Sequence, residues 1–331
     1  MKYKRNVILL VIVGIIVLFF ALKDDFDEIM RLLLNANKMF ILVAILFVLI
    51  SDILKSIAVK KLIINSGYDC KLKDSLTLMI MTNFFNGITP FSLGGQPFEL
   101  FVMKKKKKIG YVAGTNILFR DFYTYQMAFV ILGVLCFIFG VAFKWVIFSP
   151  IVIRLLIIAL IINLAVALFL VYIPHSKKDN YKIVNYIINI LSKIKIVKDS
   201  EKTIEKVDNA IVRFKKQTRE TINKPKIIIE CILLNCIKII CIGVATYFSF
   251  KAIGSSIPFI STILIAILVM IMSSYVPIPG ASGGMEYSFV AMFSFFVINA
   301  KLSAALLLWR FLTYYVPMIF GGVVFITLKG D

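Results

Sequence analysis

The chain has little of what enzyme chemistry ordinarily needs. Its 331 residues include one histidine, His175, which stands beside Lys177 and Lys178 in a charged stretch. A single imidazole does not make a histidine-based zinc site. Five cysteines contain no CxxC pair, and Cys231, Cys236 and Cys241 recur at five-residue steps, which scatters them around a helix. They read as small apolar residues rather than ligands or disulfide partners. No GxxxxGK[ST] loop is present, so ATP hydrolysis through a phosphate loop is not expected. Acidic residues are also scarce, with 18 Asp and Glu against 38 Lys and Arg. Neither a cofactor nor a metal is expected.

What is abundant is apolar sequence. Sixty per cent of the residues are hydrophobic and the mean hydropathy is +0.93. Runs this long and this apolar belong to a polytopic membrane protein. The net charge of +20 falls in clusters between the apolar runs. That placement favours cytoplasmic loops and anionic lipid as the counterpart, and no nucleic acid.

The charge rule sets an expected topology. After MKYKR, residues 6–22 form a retained first span with the N-terminus inside, followed by the acidic outer stretch KDDFDE. Residues 29–38 are too short and too charged to span and suit the interface. Residues 39–59 return to Lys60 and Lys61. Lysines 60, 61, 71 and 73 and the run 104–108 then lie on one side, so residues 75–103 enter and leave from that side as a re-entrant hairpin. Its tip is TPFSLGGQP, where Pro90 and Pro97 interrupt helical bonding and Gly94 and Gly95 permit a tight turn. Asn83, Asn86 and Thr89 are polar on the approach.

Residues 110–143 exceed one perpendicular span and carry Arg120 and Asp121. They are read as a short segment followed by a span over 123–143. Residues 151–173 cross back. Residues 174–226 form the one substantial polar stretch, in which Ile204, Val207, Ile211 and Phe214 lie at 3–4–3 spacing among basic residues. This is the pattern of a basic amphipathic helix on the inner leaflet. At about fifty residues the stretch is too small for an acyltransferase domain. Residues 227–250 span again, 259–299 form a second hairpin broken at VPIPGASGGME (276–286), and 302–328 return.

The expected fold is therefore an all-α polytopic membrane protein with about six full spans and two re-entrant helical hairpins of opposite orientation, compatible with an inverted repeat. Its parts are an N-terminal membrane half (1–173), a basic cytoplasmic segment (174–226) and a C-terminal membrane half (227–331). Both termini are placed in the cytoplasm of a bacterial-type plasma membrane.

Ionisable groups within apolar segments are the natural site candidates, since a charge at the bilayer centre costs about 2.5–3.5 kcal/mol even on the mildest scale. They are Glu99, Glu286 and Arg310, with Arg120, Asp121 and Asn86 as secondary members. A structural ion pair is the competing reading for Glu286 with Arg310. A half-helix starting after Gly94–Gly95 or Gly283–Gly284 is expected to aim free N–H groups at a cavity, a preference for phosphate or carboxylate that an arginine reinforces. The competing reading is that these glycines only allow close packing. Ser282 has no base near it in sequence, so nucleophilic catalysis is poorly supported.

TPFSLGGQPFE with its following lysine run, PIPGASGGME, and LLLWRFLTYYVPMIFGG (306–322) occur in this order. Together they resemble the lysylphosphatidylglycerol synthase transmembrane family, flippase-like domains that include the membrane domain of multiple peptide resistance factor proteins. Many members of that family carry an acidic residue or an arginine near the first Gly-Gly pair; this chain has Gln96 and Glu99 there. The resemblance implies a protein that binds or moves a phosphate-bearing lipid, an anionic or aminoacylated phospholipid. Gly94, Gly95, Gln96, Gly283 and Gly284 would shape the headgroup site, and Glu99, Glu286 and Arg310 would contact or gate it. The alternatives are a phosphatidylglycerol lysyltransferase drawing on lysyl-tRNA, and a membrane partner of a separate lipid synthase. A homo-oligomer is a further partner class left open.

Overall fold

The computed structural model describes residues 26–89, 94–143, 148–175, 200–222, 225–274 and 281–328. The expected first span (6–22), the break residues 90–93 and 275–280, the outer turn at 144–147 and residues 176–199 lie outside the described residues. All regular structure among the described residues is helical: α1 (Phe26–Leu34), α2 (Lys38–Asn65), α3 (Leu72–Gly87), α4 (Gly95–Lys107), α5 (Tyr111–Ala142), α6 (Pro150–His175), α7 (Ser200–Ile222), α8 (Pro225–Ala252), α9 (Phe259–Ser273), α10 (Gly284–Phe293), α11 (Asn299–Arg310) and α12 (Val316–Leu328). Five helical stretches are long and apolar enough to cross a membrane: Lys38–Asn65, Tyr111–Ala142, Pro150–Pro174, Pro225–Ala252 and Asn299–Thr327. The protein is an all-α, multi-pass membrane protein.

One expectation about the spans is corrected. Residues 110–143 are not a short segment plus a span but one continuous helix, α5, of 32 residues. It contains no proline, and its two charged residues find partners on other helices, so nothing forces a break.

The helices are held by small residues and polar pairs, as expected where lipid gives no hydrophobic drive between them. The long helices α2 and α8 pack along each other, with Cys231 Sγ 3.7 Å from the Ala58 carbonyl. Asn235 donates to Thr124 Oγ1 at 3.2 Å, joining α8 to α5. Gln126 donates to Asn163 Oδ1 at 2.9 Å, joining α5 to α6. On the outside, Ile161, Leu168 and Phe169 of α6 are exposed, the surface a lipid tail would cover.

The helix-break-helix pairs expected at 75–103 and 259–299 are both present. In the first, α3 and α4 run antiparallel. Asp74 pairs with Lys107 at the base, and Phe85 stacks on Phe98 with ring centroids 4.1 Å apart near the break. At the base, the hydrogen bond from Lys107 holds the Asp74 carboxyl below the usual carboxylate range. Gly321 of α12 lies so close to α3 that a Cβ there would sit 2.2 Å from the Ile80 carbonyl oxygen. Close backbone approach, rather than a turn, explains this glycine. In the second pair, Ser273 Oγ lies 2.9 Å from Met285 Sδ across the break.

α7 carries the amphipathic pattern read at 204–214. Ile204, Val207, Ile211 and Phe214 are half-buried, while Glu205, Lys206, Val212 and Arg213 are exposed. Phe214 meets Phe119 of α5 edge-on at 5.3 Å, and Thr218 bonds Asn116. The helix thus lies against α5 and α6.

Candidate functional site

A cavity of about 440 Å³ opens between the α3–α4 pair, the α9–α10 pair and the long helices α2, α5 and α8. Its walls carry both signs of charge: Asp52 and Lys55 from α2, Glu99 from α4, Asp121 from α5, Lys238 from α8 and Arg310 from α11. So many ionisable groups inside apolar helices make this cavity the candidate site.

Most of these charges are matched in pairs. Lys55 Nζ lies 2.6 Å from Asp121 Oδ1, with both side chains largely buried. Lys55 and Lys238 both approach the ring of Tyr125, at 5.1 and 4.7 Å from its centroid. The face of an aromatic ring attracts a cation, so Tyr125 gathers two ammonium groups at one wall. Asp52 accepts from Asn83 Nδ2 at 3.2 Å and interacts electrostatically with Lys238. On the opposite wall, Arg310 Nε lies 2.8 Å from Glu286 Oε1. Its Nη2 donates to Ser282 Oγ at 3.3 Å, and its guanidinium sits 4.6 Å from the Tyr314 ring centroid.

Arg310 owes its place to an irregular stretch. The chain from Phe311 to Tyr315 winds as a wider π-helical turn before α12 resumes. Pro317 brings no N–H and would crowd the Thr313 carbonyl in a regular helix. The widened turn accommodates it, a device that recurs at functional sites. Thr313 and Tyr314 thereby line the cavity, and the Tyr314 hydroxyl donates to the Gly87 carbonyl at 2.7 Å. That bond caps the broken end of α3, whose last carbonyls have no partner within the helix.

The expected free N–H groups at the glycine breaks are corrected. Gly94 N donates to Thr89 Oγ1 and Gly95 N to Asn86 Oδ1, each at 2.9 Å. Gly283 N donates to Glu286 Oε2 at 2.6 Å. These donors are engaged because the sequence provides a capping side chain for each start. A Cβ on Gly94 or Gly95 would stand 2.4 Å from Thr89 or Asn86, respectively. Gly283 has φ +84°, a conformation that favours glycine. The cations on the cavity walls are Arg310, Lys55 and Lys238.

Among the other sequence candidates, Asn86, Gln96, Glu99 and Asp121 line the cavity, and Glu286 reaches it through Arg310. Arg120 points elsewhere. It is 1% exposed and bonds Asn65 Oδ1, Ser66 Oγ and the Asn116 carbonyl, tying α5 to the C-terminal end of α2. A cation there complements the negative end of the helix dipole. Asp52, Lys55 and Lys238 were absent from the sequence candidates. Their signal was present as charges within the spans 39–59 and 227–250. Among the described residues, no group of three or more His, Cys, Asp or Glu side chains is arranged to hold a metal ion.

Residues 6–321 match the protein family described as "Lysylphosphatidylglycerol synthase TM region". The chain belongs to this family. Similar proteins include a UPF0104 membrane protein of Methanocaldococcus jannaschii, 23% identical over all of this chain and 97% of the relative. A UPF0104 membrane protein of Pyrococcus horikoshii is also 23% identical, over 95% of each chain. The family resemblance read from the three glycine- and proline-bearing motifs is thus correct. Two of those motifs flank this cavity, and the third supplies Arg310 and the widened turn.

Proposed function

We propose that this member of the lysylphosphatidylglycerol synthase transmembrane family binds the headgroup of a phosphate-bearing lipid in the cavity and carries it between leaflets. The observation that carries this reading is the set of three cations, Lys55, Lys238 and Arg310, on the walls of one cavity inside apolar helices. Arg310 offers a planar donor set suited to phosphate oxygens, and the two lysines act as point charges beside it. Asp52 would favour a headgroup that also bears an ammonium, as in an aminoacylated lipid. The α3–α4 pair would enter from the cytoplasmic side and α9–α10 from the outer side. This gives each leaflet a broken segment near the cavity, the arrangement associated with alternating access.

The test is where a headgroup sits. Phosphatidylglycerol with a photoreactive headgroup, reconstituted with the protein and illuminated, is expected to label segments carrying Asn86, Gln96, Tyr125 or Thr313. Labelling restricted to the outer surface of α6, around Ile161 and Leu168, would overturn the reading.

A further inference from the structure

The pairing of charges in the cavity leaves one group over. Lys55 is matched by Asp121, Arg310 by Glu286, and Lys238 stands against Asp52. Glu99 has no cation of its own. Its side chain is buried, and among the described residues its Oε2 has no hydrogen-bond partner. An ionised carboxylate in that position is costly, because nothing repays the loss of water.

The groups facing it reinforce this. From α3 comes Thr82, whose hydroxyl is in hydrogen-bond reach of Glu99 while the Leu78 carbonyl, at 2.8 Å, competes for its single proton. Asn86 of the same helix is committed through its oxygen to Gly95. From α5 comes Asp121, a like charge, and from α2 comes Lys55, already bound to Asp121. Lys238, Asp52 and Arg310 lie on the other walls of the cavity. A protonated Glu99 removes the repulsion with Asp121; an ionised one keeps it.

We propose that Glu99 is the proton-binding group of this cavity, and that an anionic headgroup and a proton enter it together. This rests on the lipid-carrier reading above. With Glu99 protonated, the three cations face Asp52, Asp121 and Glu286, and the fixed charges balance. With Glu99 ionised, the cavity carries one excess negative charge and repels a phosphate. The proton comes from water on the side where the lipid binds and returns to water where it leaves; no other bond is made or broken. A pH difference across the membrane would then drive or retard lipid movement.

Two measurements on the full-length protein test this. In proteoliposomes containing headgroup-labelled phosphatidylglycerol, transbilayer exchange is expected to fall by about tenfold per pH unit above the point where Glu99 ionises. Glu99→Gln, which imitates the protonated group, is expected to flatten the profile, while Glu99→Asp keeps the slope. Identical profiles for wild type and Glu99→Gln would overturn the proposal. Infrared difference spectra between low and high pH provide the second readout, with no lipid movement required. A protonated-carboxyl band that titrates in wild type and vanishes in Glu99→Gln supports the proton site even if no lipid moves, in which case the carrier reading alone fails. A spectrum without such a band sinks the proton site and leaves lipid exchange to stand by itself.

Discussion

Lys55→Met is expected to destabilise the protein by about 3 kcal/mol, near the lower end of the range for breaking a buried ion pair. The cost arises from what is left behind. Asp121 remains on the cavity wall with its 2.6 Å partner gone, and Lys238, which it still feels, is shared with Asp52 and Tyr125. The cavity's polar lining keeps the loss from reaching the top of the range. The double variant Lys55→Met/Asp121→Leu is expected to recover most of the loss, because both charges leave together and the remaining surface is apolar. Thermal unfolding in detergent of the two single variants and the double variant closes the cycle. A loss in the double variant equal to the sum of the two single losses would show that the pair contributes no coupling, and that the two charges meet only incidentally.

Arg310→Ala is expected to slow lipid exchange by about tenfold to a hundredfold, the size of one lost charge-assisted hydrogen bond. Arg310→Lys keeps the charge but not the planar donor set, and is expected to fall between wild type and alanine. The alanine variant also strands Glu286, so Arg310→Ala/Glu286→Gln separates loss of headgroup binding from loss of the ion pair. If the double variant regains stability but not exchange, Arg310 acts on the lipid. Full exchange in Arg310→Ala would assign the arginine to holding the second helix pair in place.

The fold was largely legible because long apolar runs announce spans whatever surrounds them. Residues 39–59, 151–173, 227–250 and 302–328 each fall within an observed helical stretch, and the two broken pairs appear where proline and glycine interrupt the pattern. What misled was treating length as a reason for a break: α5 continues through Arg120 and Asp121 because each is satisfied on a different side. Adjacent residues on a helix point about 100° apart, so one reaches the end of α2 and the other the cavity.

The site was legible only in part, for a different reason. Glu99, Glu286 and Arg310 stand beside conspicuous breaks and draw attention. Asp52, Lys55 and Lys238 sit within runs whose average is strongly apolar, and averaging conceals them. Their partners come from separate helices, Lys55 with Asp121 and Lys238 against Asp52, and no local pattern announces such a pairing. The glycine N–H groups were misjudged because the caps lie outside the glycine pairs themselves. Thr89 and Asn86 precede the first pair, and Glu286 follows Gly283 by three residues, the spacing of a capping box.

Lipid movement itself is the most direct measurement of the central claim. Proteoliposomes would carry headgroup-labelled phosphatidylglycerol, its lysyl form or a polyprenyl phosphate, and label loss from the inner leaflet would be followed. Faster exchange of at least one of these lipids than in protein-free vesicles, lost in Arg310→Ala, is the result the charged cavity predicts. Exchange no faster than in empty vesicles for all three would contradict the carrier reading and turn attention to the synthase and partner-protein alternatives.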